Sequence, residues 1–343
     1  MKILAIDTSC DETAAAITFD TKIVSNKIWS QAVLHASFGG VMPNLAQRQH
    51  QARIDWVIDC AIKNSELKIK NLDAIAVTVG PGLGIALGVG INKAKELAIK
   101  YNLPLIPINH VEGHLLSPFA NAKELNAKFP MLGLVLSGGT TMLCLVKNIG
   151  DYEILAETSD DALGEALDKG ARLLGLGYPG GAILEKIARL GNPNKYKLPI
   201  PLINDVVKNR FSYSGLKTAF VRLFSTIKDP NKQDVADLAA SFQNVAFEHV
   251  LRVLEFQSKN QKFEIKNLLA GGGVINNIEL RKRLRLLAKK HDMRVSFPYT
   301  KKLNGDNAGM IGVTAFLKIK NEKLKMKNFY DYDSVDRNPR LKL

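Results

Sequence analysis

The chain has 343 residues, of which 46% are hydrophobic, and 47 Lys and Arg against 33 Asp and Glu give a formal charge of +14. This length and apolar content predict a globular protein of two domains and exclude disordered and collagen-like chains. Residues 259–343 hold 20 of the basic residues and only 8 of the acidic ones, and so concentrated an excess favours a polyanionic partner.

Three cysteines, at positions 10, 60 and 144, form no CxxC pair. A sparse, odd set favours a reducing compartment over a disulfide framework. No signal peptide or membrane-spanning run is apparent. We therefore expect a soluble, cytoplasmic protein without a membrane partner.

The first half begins with a strand, a polar turn and a second strand. Continuous apolar runs over Lys2–Ile6 and Ala14–Phe19 predict buried strands, and a third strand pattern follows over Lys22–Trp29. Helices and strands alternate after that. Helices are predicted over Asn44–Lys63 and Lys93–Lys100, and strands over Ala74–Val79 and Leu105–Asn109.

The same order of elements returns in the second half. Strands over Leu132–Leu136 and Met142–Val146 flank the turn Ser137–Thr141, and a third strand is predicted over Tyr152–Ala156. The remaining predictions are helices over Ala162–Leu174, Ala182–Leu190, Gly215–Phe224, Asp234–Gln257, Ile278–Lys290 and Asn307–Lys320, and a strand at Leu268–Ala270.

Two similar α/β halves that each begin with a β-hairpin predict a duplicated actin/hexokinase-like fold (ASKHA, RNase H-like), with the active site in the cleft between two domains. We place an N-terminal actin-like domain at residues 1–128 and a C-terminal one at 129–305. Residues 306–343 are expected to form a helix that returns to the N-terminal domain, plus a basic tail. Turns of Ser, Thr, Gly and Asp offer N–H groups to phosphate, although single turns of this kind are commonly plain hairpins.

A histidine pair is the first candidate for chemistry. His110 and His114 are four residues apart, so a helix places both on one face, where they could share a metal ion or make ordinary hydrogen bonds. Helix N-capping by itself explains Asp306 completely and is the favoured interpretation, but Asp306 could also complete a His, His, Asp set suited to Zn²⁺ or Fe²⁺. Glu112 is two residues after the first histidine rather than one, which counts against a zincin metalloprotease.

Other candidates have a plain alternative. The glycines Gly271–Gly273 let a ligand approach the backbone, and Asn277 can bind a ribose or a base, yet a packing turn fits as well. Glu165 and Asp168 could accept ribose hydroxyls or lie on a solvated helix face. Lys217 could contact phosphate.

Acidic residues crowd the first turn. Asp7, Asp11 and Glu12 are typical of metal–nucleotide sites, although turns favour Asp in any case. The histidines outside the pair have no partner pattern and are interpreted as surface or structural residues: His35, His50, His249 and His291.

Together these motifs resemble the bacterial tRNA N6-adenosine threonylcarbamoyltransferase family (TsaD, also called YgjD or Gcp). The matching segments run in family order and cover essentially the whole chain. They are Thr8–Thr13, Phe38–Pro43, Gly80–Leu83, His110–His114, Ser137–Gly139, Gly164–Lys169, Tyr178–Gly181, Phe211–Thr218, Gly272–Asn277 and Asp306–Asn307.

The resemblance implies an acyltransferase that moves the threonylcarbamoyl group from L-threonylcarbamoyladenylate to N6 of adenosine 37, in tRNAs that read codons beginning with A. The products are t6A and AMP. One divalent metal ion per subunit, Fe²⁺ or Zn²⁺, is implied on His110, His114 and Asp306. The implied adenylate-binding residues are Val135, Leu136, Ser137, Gly138, Gly139, Asp168, Gly181, Glu185 and Asn277.

A base would help the weakly nucleophilic adenine amine, and Asp11 or Glu12 is the candidate. The implied partners are tRNA, a TsaB-like scaffold and a TsaE-like ATPase. The basic residues that could contact tRNA phosphates, or simply form a solvated surface, are Arg281, Lys282, Arg283, Arg285, Lys289, Lys290, Lys301 and Lys302.

The chain departs from the family pattern in places. Thr140 and Thr141 stand where a His is common, and Gly305, Leu167 and Gly271 replace a common Thr, Phe and Ala. Two alternatives stay open. An ASKHA-type small-molecule kinase would not need the histidine pair, and a non-catalytic nucleotide-binding scaffold paralogue should lose the metal and adenosine motifs.

Overall fold

The computed structural model describes residues 1–122, 128–205, 207, 209–262, 264–322 and 329–343. The chain divides into two units. The first comprises Met1–Ala127, Asn148–Asp151 and Phe297–Leu343, and the second comprises Lys128–Lys147 and Tyr152–Ser296. The last part of the first unit begins at Phe297 and includes a 3₁₀ turn over Lys301–Leu303 and the last helix.

The strands of the described residues correspond closely to the apolar runs of the sequence. They are β1 (Lys2–Asp7), β2 (Glu12–Phe19), β3 (Lys22–Ser30), β4 (Ala74–Gly80), β5 (Leu105–Asn109), β6 (Met131–Leu136), β7 (Thr141–Asn148), β8 (Asp151–Thr158), β9 (Arg210–Phe211), β10 (Asn267–Gly271) and β11 (Arg294–Ser296).

Helices fill most of the remaining described chain, and none of them is both long and apolar enough to cross a membrane. They are α1 (Ala32–Ala36), α2 (Pro43–Ser65), α3 (Gly84–Tyr101), α4 (His110–Leu116), α5 (Leu163–Leu173), α6 (Gly181–Ala188), α7 (Ser214–Ser225), α8 (Lys232–Lys259), α9 (Ile278–Lys290) and α10 (Ala308–Glu322).

The first unit contains a five-stranded sheet in the order β3-β2-β1-β4-β5. β1 is antiparallel to β2 and parallel to β4, which is parallel to β5. Successive residues of a strand face opposite sides. Leu4 and Ile6 pack in the core with α2 and α3, whereas Ile3 and Ala5 pack with residues of α10 such as Ile311. The carboxyl ends of β1, β4 and β5 meet at one edge of the sheet.

The second unit contains a six-stranded sheet in the order β11-β10-β6-β7-β8-β9. β6 is antiparallel to β7 and parallel to β10. All six residues of β6 are buried, as its uninterrupted apolar sequence predicts. Helix α8 contributes Phe242 and Phe247 to the core of this unit, and both side chains are fully buried.

One helix begins well before its predicted start, and three short elements have no predicted counterpart. Helix α3 begins at Gly84 instead of Lys93, because its glycines serve close packing and do not interrupt the helix. A Cβ on Gly90 would lie 2.5 Å from Oγ1 of Thr8. The short elements α1, β9 and β11 were not predicted, since two to five residues are too few to show a period.

Candidate metal centre and phosphate-binding turn

Two histidines of the first unit lie on a helix that directly follows β5. The side-chain oxygen of Asn109 accepts hydrogen bonds from the backbone N–H groups of Val111 and Glu112, and so caps α4. His110 and His114 are one turn apart on this helix, and their ring centroids are separated by 4.8 Å. The cap therefore fixes the direction in which both imidazoles project.

Asp306 completes a cluster of three potential metal ligands. Its Oδ1 lies 3.0 Å from Nε2 of His114 and 3.5 Å from Nε2 of His110. The expected capping role belongs to the next residue, since Oδ1 of Asn307 accepts a hydrogen bond from the N–H of Met310 at 3.0 Å. The Asp306 carboxylate therefore faces the histidines, and the structure brings together the three residues that the sequence proposed.

A second carboxylate supports His110 from its other ring nitrogen. Oδ2 of Asp7 and Oγ of Ser9 each lie 3.1 Å from Nδ1 of His110. A carboxylate at Nδ1 keeps the proton on that nitrogen and leaves Nε2, which faces Asp306, with a lone pair for a metal. The site therefore suits a divalent transition-metal ion. It offers two imidazoles and one carboxylate as ligands, and Asp7 and Ser9 hold one of the imidazoles in place.

The cluster is electrostatically coupled. Burial lowers the pKa of His110, but the charges of Asp7 and Asp306 outweigh burial and hold this pKa well above its usual range. Burial raises the pKa of Asp306, yet the two histidines outweigh that effect and hold it far below its usual range. A cation that binds here displaces a proton, because metal ligation requires the neutral imidazole.

The two acidic residues predicted as catalytic lie where the β1–β2 turn enters β2. Asp11 is buried, and Glu12 accepts a hydrogen bond from Oγ of Ser30 at 3.0 Å. Burial raises the pKa of Glu12 well above its usual range, and the charges of Asp306 and Asp11 raise it further. A carboxyl group with a raised pKa is a stronger base once it is ionised, which suits Glu12 to proton transfer.

In the second unit, a short turn joins β6 to β7. The N–H of Ser137 donates to the carbonyl of Thr140 at 2.8 Å, and Oγ of Ser137 accepts a hydrogen bond from the N–H of Thr140 at 3.0 Å. A Cβ on Gly138 or Gly139 would meet nothing within 4 Å. Both glycines are exposed, and the side of the turn on which a Cβ would stand is open to an anion, although the backbone of Gly138 packs against Gly164 on its other side.

Neighbouring segments pack tightly under this turn. A Cβ on Gly164 would lie 2.6 Å from the carbonyl oxygen of Ser137, and one on Gly272 would lie 2.3 Å from that of Leu136. At Gly272 the glycine run therefore serves packing, the alternative that the sequence left open. The side chains of Val135 and Leu136 are fully buried in β6, so only their backbone can face a ligand.

The predicted pair of carboxylates on α5 is divided between two roles. Oδ1 of Asp168 accepts hydrogen bonds from the N–H groups of Gly180 and Gly181, at 2.9 and 2.7 Å, where α6 begins. Glu165 instead forms an ion pair with Lys169 at 2.8 Å. Asp168 is thus held beside Gly181. Because Glu165 is paired with Lys169 instead, the two carboxylates do not form the predicted pair for binding a ribose.

The remaining two predicted adenylate-binding residues are linked to each other through one backbone group. Oε1 of Glu185 accepts a hydrogen bond at 2.9 Å from the N–H of Ile278, the residue after Asn277. Asn277 caps α9 through the N–H of Leu280 at 3.1 Å, and its Nδ2 donates to Gln243 at 2.7 Å. Asp168, Gly181, Glu185 and Asn277 therefore form a continuous series of contacts within the second unit.

Several weaker candidates have structural roles. The ammonium group of Lys217 forms an ion pair with Asp161 at 2.6 Å. His291 pairs with Glu255 at 3.1 Å. The other histidines outside the pair are buried, so a surface role is excluded for them: His35, His50 and His249.

Sequence reasoning did not assign the residues that support the histidines to that role. Asp7 was proposed only as one of three acidic residues typical of a metal–nucleotide site, Ser9 only as part of the Thr8–Thr13 segment, and Asn109 had no proposed function. A signal was nevertheless present, because Asp7 ends β1 and Asn109 ends β5, and these strands are predicted to belong to one sheet. The carboxyl ends of parallel strands meet at one edge, where binding sites of α/β proteins usually lie.

Comparison with known proteins gives extensive sequence similarity. The family model described as "TsaD: tRNA N6-adenosine threonylcarbamoyltransferase" matches residues 22–313. A protein of Persephonella marina with that enzyme name is 43% identical over 324 residues, which are 93% of this chain and 91% of the relative. A protein of Pelagibacter ubique with the same name is 42% identical over 342 residues, with 97% and 92% covered.

Solved structures are similar in fold at low sequence identity. The (R)-2-hydroxyglutaryl-CoA dehydratase component A of Acidaminococcus fermentans has a TM-score of 0.52 at 14% identity, with 94% of this chain and all of that chain covered. Full-length HypF in its phosphate- and nucleotide-bound form has a TM-score of 0.58 at 14% identity, with 94% and 46% covered. The predicted duplicated actin/hexokinase-like (ASKHA) fold is confirmed.

Proposed function

This chain belongs to the TsaD family of tRNA N6-adenosine threonylcarbamoyltransferases, and from that premise we propose that it transfers the threonylcarbamoyl group from L-threonylcarbamoyladenylate to N6 of adenosine 37 of tRNA. The products are t6A and AMP, and the tRNAs are those that read codons beginning with A. The family match over residues 22–313 is the observation that carries this proposal.

The second unit holds the adenylate in this proposal. The open backbone of Gly138 and Gly139 suits the phosphate, because consecutive N–H groups bind anions without a positive side chain. Asp168 and Glu185 suit the ribose hydroxyls, since a carboxylate accepts several hydrogen bonds at once. Asn277 uses its oxygen for the N–H of Leu280 and one amide hydrogen for Gln243, so its second amide hydrogen is the donor proposed for the ligand. The side chains of Val135 and Leu136 only support the turn.

The residues that would hold one Fe²⁺ or Zn²⁺ ion are His110, His114 and Asp306 of the first unit. When bound, the ion supplies Lewis acidity to the carbamoyl carbonyl. Asp7 and Ser9 keep His110 in the orientation that the ion requires. The raised pKa of His110 supports this assignment, because it reflects a site built for positive charge.

Glu12 is the proposed base. The N6 amine of adenosine forms a bond to the carbamoyl carbon and gives one proton to the Glu12 carboxylate, while the bond from that carbon to the phosphate oxygen breaks and AMP leaves. The raised pKa of Glu12 makes it a better proton acceptor than an ordinary exposed carboxylate. Asp11 acts on Glu12 through its charge.

The tRNA contact is proposed on the exposed face of α9. Lys282, Arg285 and Lys289 lie three or four residues apart, so they form one stripe of exposed cations. Arg283 and Lys290 pair with Glu279 and Glu255 respectively and are not part of this stripe. Phosphate contacts of this kind make binding strongly dependent on salt.

Other partners rest on the family resemblance alone. We include in the proposal a TsaB-like scaffold, a TsaE-like ATPase and a cytoplasmic reaction.

The test is a reaction with purified components. The protein is incubated with threonylcarbamoyladenylate, unmodified tRNA and the partner proteins, and the nucleosides of the tRNA are then analysed. We expect t6A, and its absence with every combination of partners would refute the transferase. Replacing both His110 and His114 by Ala should remove bound metal and t6A together, whereas His291→Ala should retain bound metal. Activity in a metal-free double variant would refute the metal's role.

Charge reversal tests the tRNA contact separately. Lys282→Glu, Arg285→Glu and Lys289→Glu together should weaken tRNA binding at least tenfold and reduce its dependence on salt. Unchanged tRNA affinity would place the contact elsewhere and leave the chemistry of the transferase untouched.

A further inference from the structure

A segment of the first unit lies along the turn that joins β4 to α3. The N–H of Asn338 donates to the carbonyl of Val79 at 2.7 Å, and the N–H of Gly82 donates to the carbonyl of Pro339 at 3.2 Å. We refer to residues 337–342 as the strap. We propose that the strap positions the helix that carries His110 and His114, and thereby sets the affinity of the metal centre. This inference rests on the metal site of the proposed function.

The turn is shaped to receive the strap. A Cβ on Gly80 would lie 1.9 Å from the carbonyl oxygen of Asn338, and a Cβ on Gly84 would lie 2.9 Å from Cγ of Pro339. Nη1 of Arg337 also donates to the carbonyl of Gly84 at 3.2 Å. Gly80 belongs to the Gly80–Leu83 motif, to which the sequence assigned no contact. Absence of a side chain at these two positions is what allows the close approach.

One route from the strap to the metal centre runs through Ser9. The turn lies directly on this residue, because a Cβ on Gly82 would lie 2.4 Å from its carbonyl oxygen. The N–H of Leu83 donates to the same oxygen at 2.8 Å. Oγ of Ser9 is one of the two groups within 3.1 Å of Nδ1 of His110. Displacing the turn therefore displaces a direct neighbour of a metal ligand.

A second route runs through the cap of α4. Nδ2 of Asn109 donates to the carbonyl of Lys342 at 3.0 Å, while Oδ1 of the same amide accepts from the N–H of Val111 at 2.8 Å. The strap thus holds the amide of Asn109 in the orientation that caps the helix. Because α4 begins at His110, a change in this cap acts on both histidines at once.

Most of the strap lies outside the core. The side chains of residues 337–340 are exposed, and only Leu341 is partly buried against the core of the first unit. The contacts of the strap with the turn are mostly hydrogen bonds to backbone groups. The chain before the strap is anchored independently, since Val335 is buried and the hydroxyl of Tyr332 donates to the carbonyl of Leu103 at 3.1 Å. Loss of the strap should therefore affect the metal centre more than the fold.

The experiment measures metal affinity directly, with Co²⁺ as the probe, by competition with a chelator and by the visible absorption of the bound ion. A variant that ends after Asp336 should bind Co²⁺ about tenfold more weakly than the full chain, the lower end of the range for losing support around metal ligands. Arg340→Ala is the matched control, because it changes an exposed side chain within the strap and leaves the backbone contacts in place.

A point variant tests the same contact without truncation. Gly84→Ala places a methyl group against Pro339 at the start of α3 and should weaken Co²⁺ binding severalfold. Adding Pro339→Ala removes the atom that the methyl group meets and should restore most of the affinity. A merely structural role would lower the melting temperature in these variants without this pattern in metal affinity.

The outcomes separate the two claims. No Co²⁺ binding by the full chain, or binding that survives loss of His110 and His114, overturns the metal site and the inference with it. Equal affinity and identical spectra in the full chain, the truncated chain and Gly84→Ala overturn the inference alone and leave the metal site standing.

Discussion

The carboxylate of Asp7 lies 3.1 Å from Nδ1 of His110, the ring nitrogen that does not face Asp306. This contact determines which nitrogen of His110 carries a proton. Asp7→Asn keeps the shape of the side chain but removes its charge, so we expect divalent metal affinity to fall between about tenfold and a hundredfold. Calorimetric titration of the metal-free protein checks this. Asp55→Asn, an exposed carboxylate paired with Lys93, is the control, and equal losses in both variants would contradict the role of Asp7.

Substitutions at the glycines of the β6–β7 turn should affect ligand binding without affecting stability. Gly138→Ala and Gly139→Ala add a methyl group that meets no protein atom within 4 Å, so the free energy of unfolding should change little. The methyl group occupies the space proposed for the phosphate, and the KM for threonylcarbamoyladenylate should rise at least tenfold.

Gly164→Ala is the contrasting variant for that turn. Its methyl group would lie 2.6 Å from the carbonyl oxygen of Ser137, so denaturant titration should show clear destabilisation of the second unit. An unchanged KM in Gly138→Ala and Gly139→Ala would move the phosphate away from this turn.

Glu112 and Lys318 form an ion pair with a buried carboxylate. Glu112 is 2% exposed, and the ammonium nitrogen of Lys318 lies 3.0 Å from its Oε2. Lys318→Met leaves the carboxylate without this cation and should lower the free energy of unfolding by about 3 kcal/mol. Adding Glu112→Gln should recover much of the loss. Urea titration measures the free energy of unfolding of the single and the double variant, and Lys70→Met, at an exposed position, is the control. If Lys318→Met is destabilised no more than the control, the ion pair contributes little to stability.

The buried His249 should make the second unit less stable as the pH falls below neutral. Burial lowers the pKa of His249 from 6.5 to about 4, and nearby Arg252 lowers it further although Asp160 opposes. The folded state therefore binds this proton less readily than the unfolded state. The stabilisation is complete above about pH 6.5 and is lost as the pH falls toward 4, by about 3 kcal/mol in all.

The variant His249→Gln tests that assignment. A glutamine oxygen can still accept the hydrogen bond that the N–H of Ser212 donates to His249, but the group no longer titrates. Urea titrations at pH 7 and pH 5 should therefore differ less in the variant than in the natural chain. The same pH dependence in both proteins would assign the effect to other groups.

The sequence predicted the parts of the molecule that depend on local pattern. Most strands and helices follow from apolar runs and helical periods, and the spacing of His110 and His114 places them on one face. It could not choose between capping and ligation for Asp306, because the choice depends on Asn307 taking the cap. The support from Asp7 and Ser9, and the ion pair of Lys217 with Asp161, depend on tertiary contacts that no local period reports.

Asp306 lies 192 residues after His114 in the chain. At typical rates of protein synthesis this separates the appearance of the two residues by about 10 to 40 s. The histidine pair, Asp7 and Ser9 are therefore synthesised well before Asp306 and the strap. In the proposed metal site, tight binding of the ion therefore has to wait until Asp306 has been synthesised, and a nascent chain that stalls earlier carries only two of the three proposed ligands.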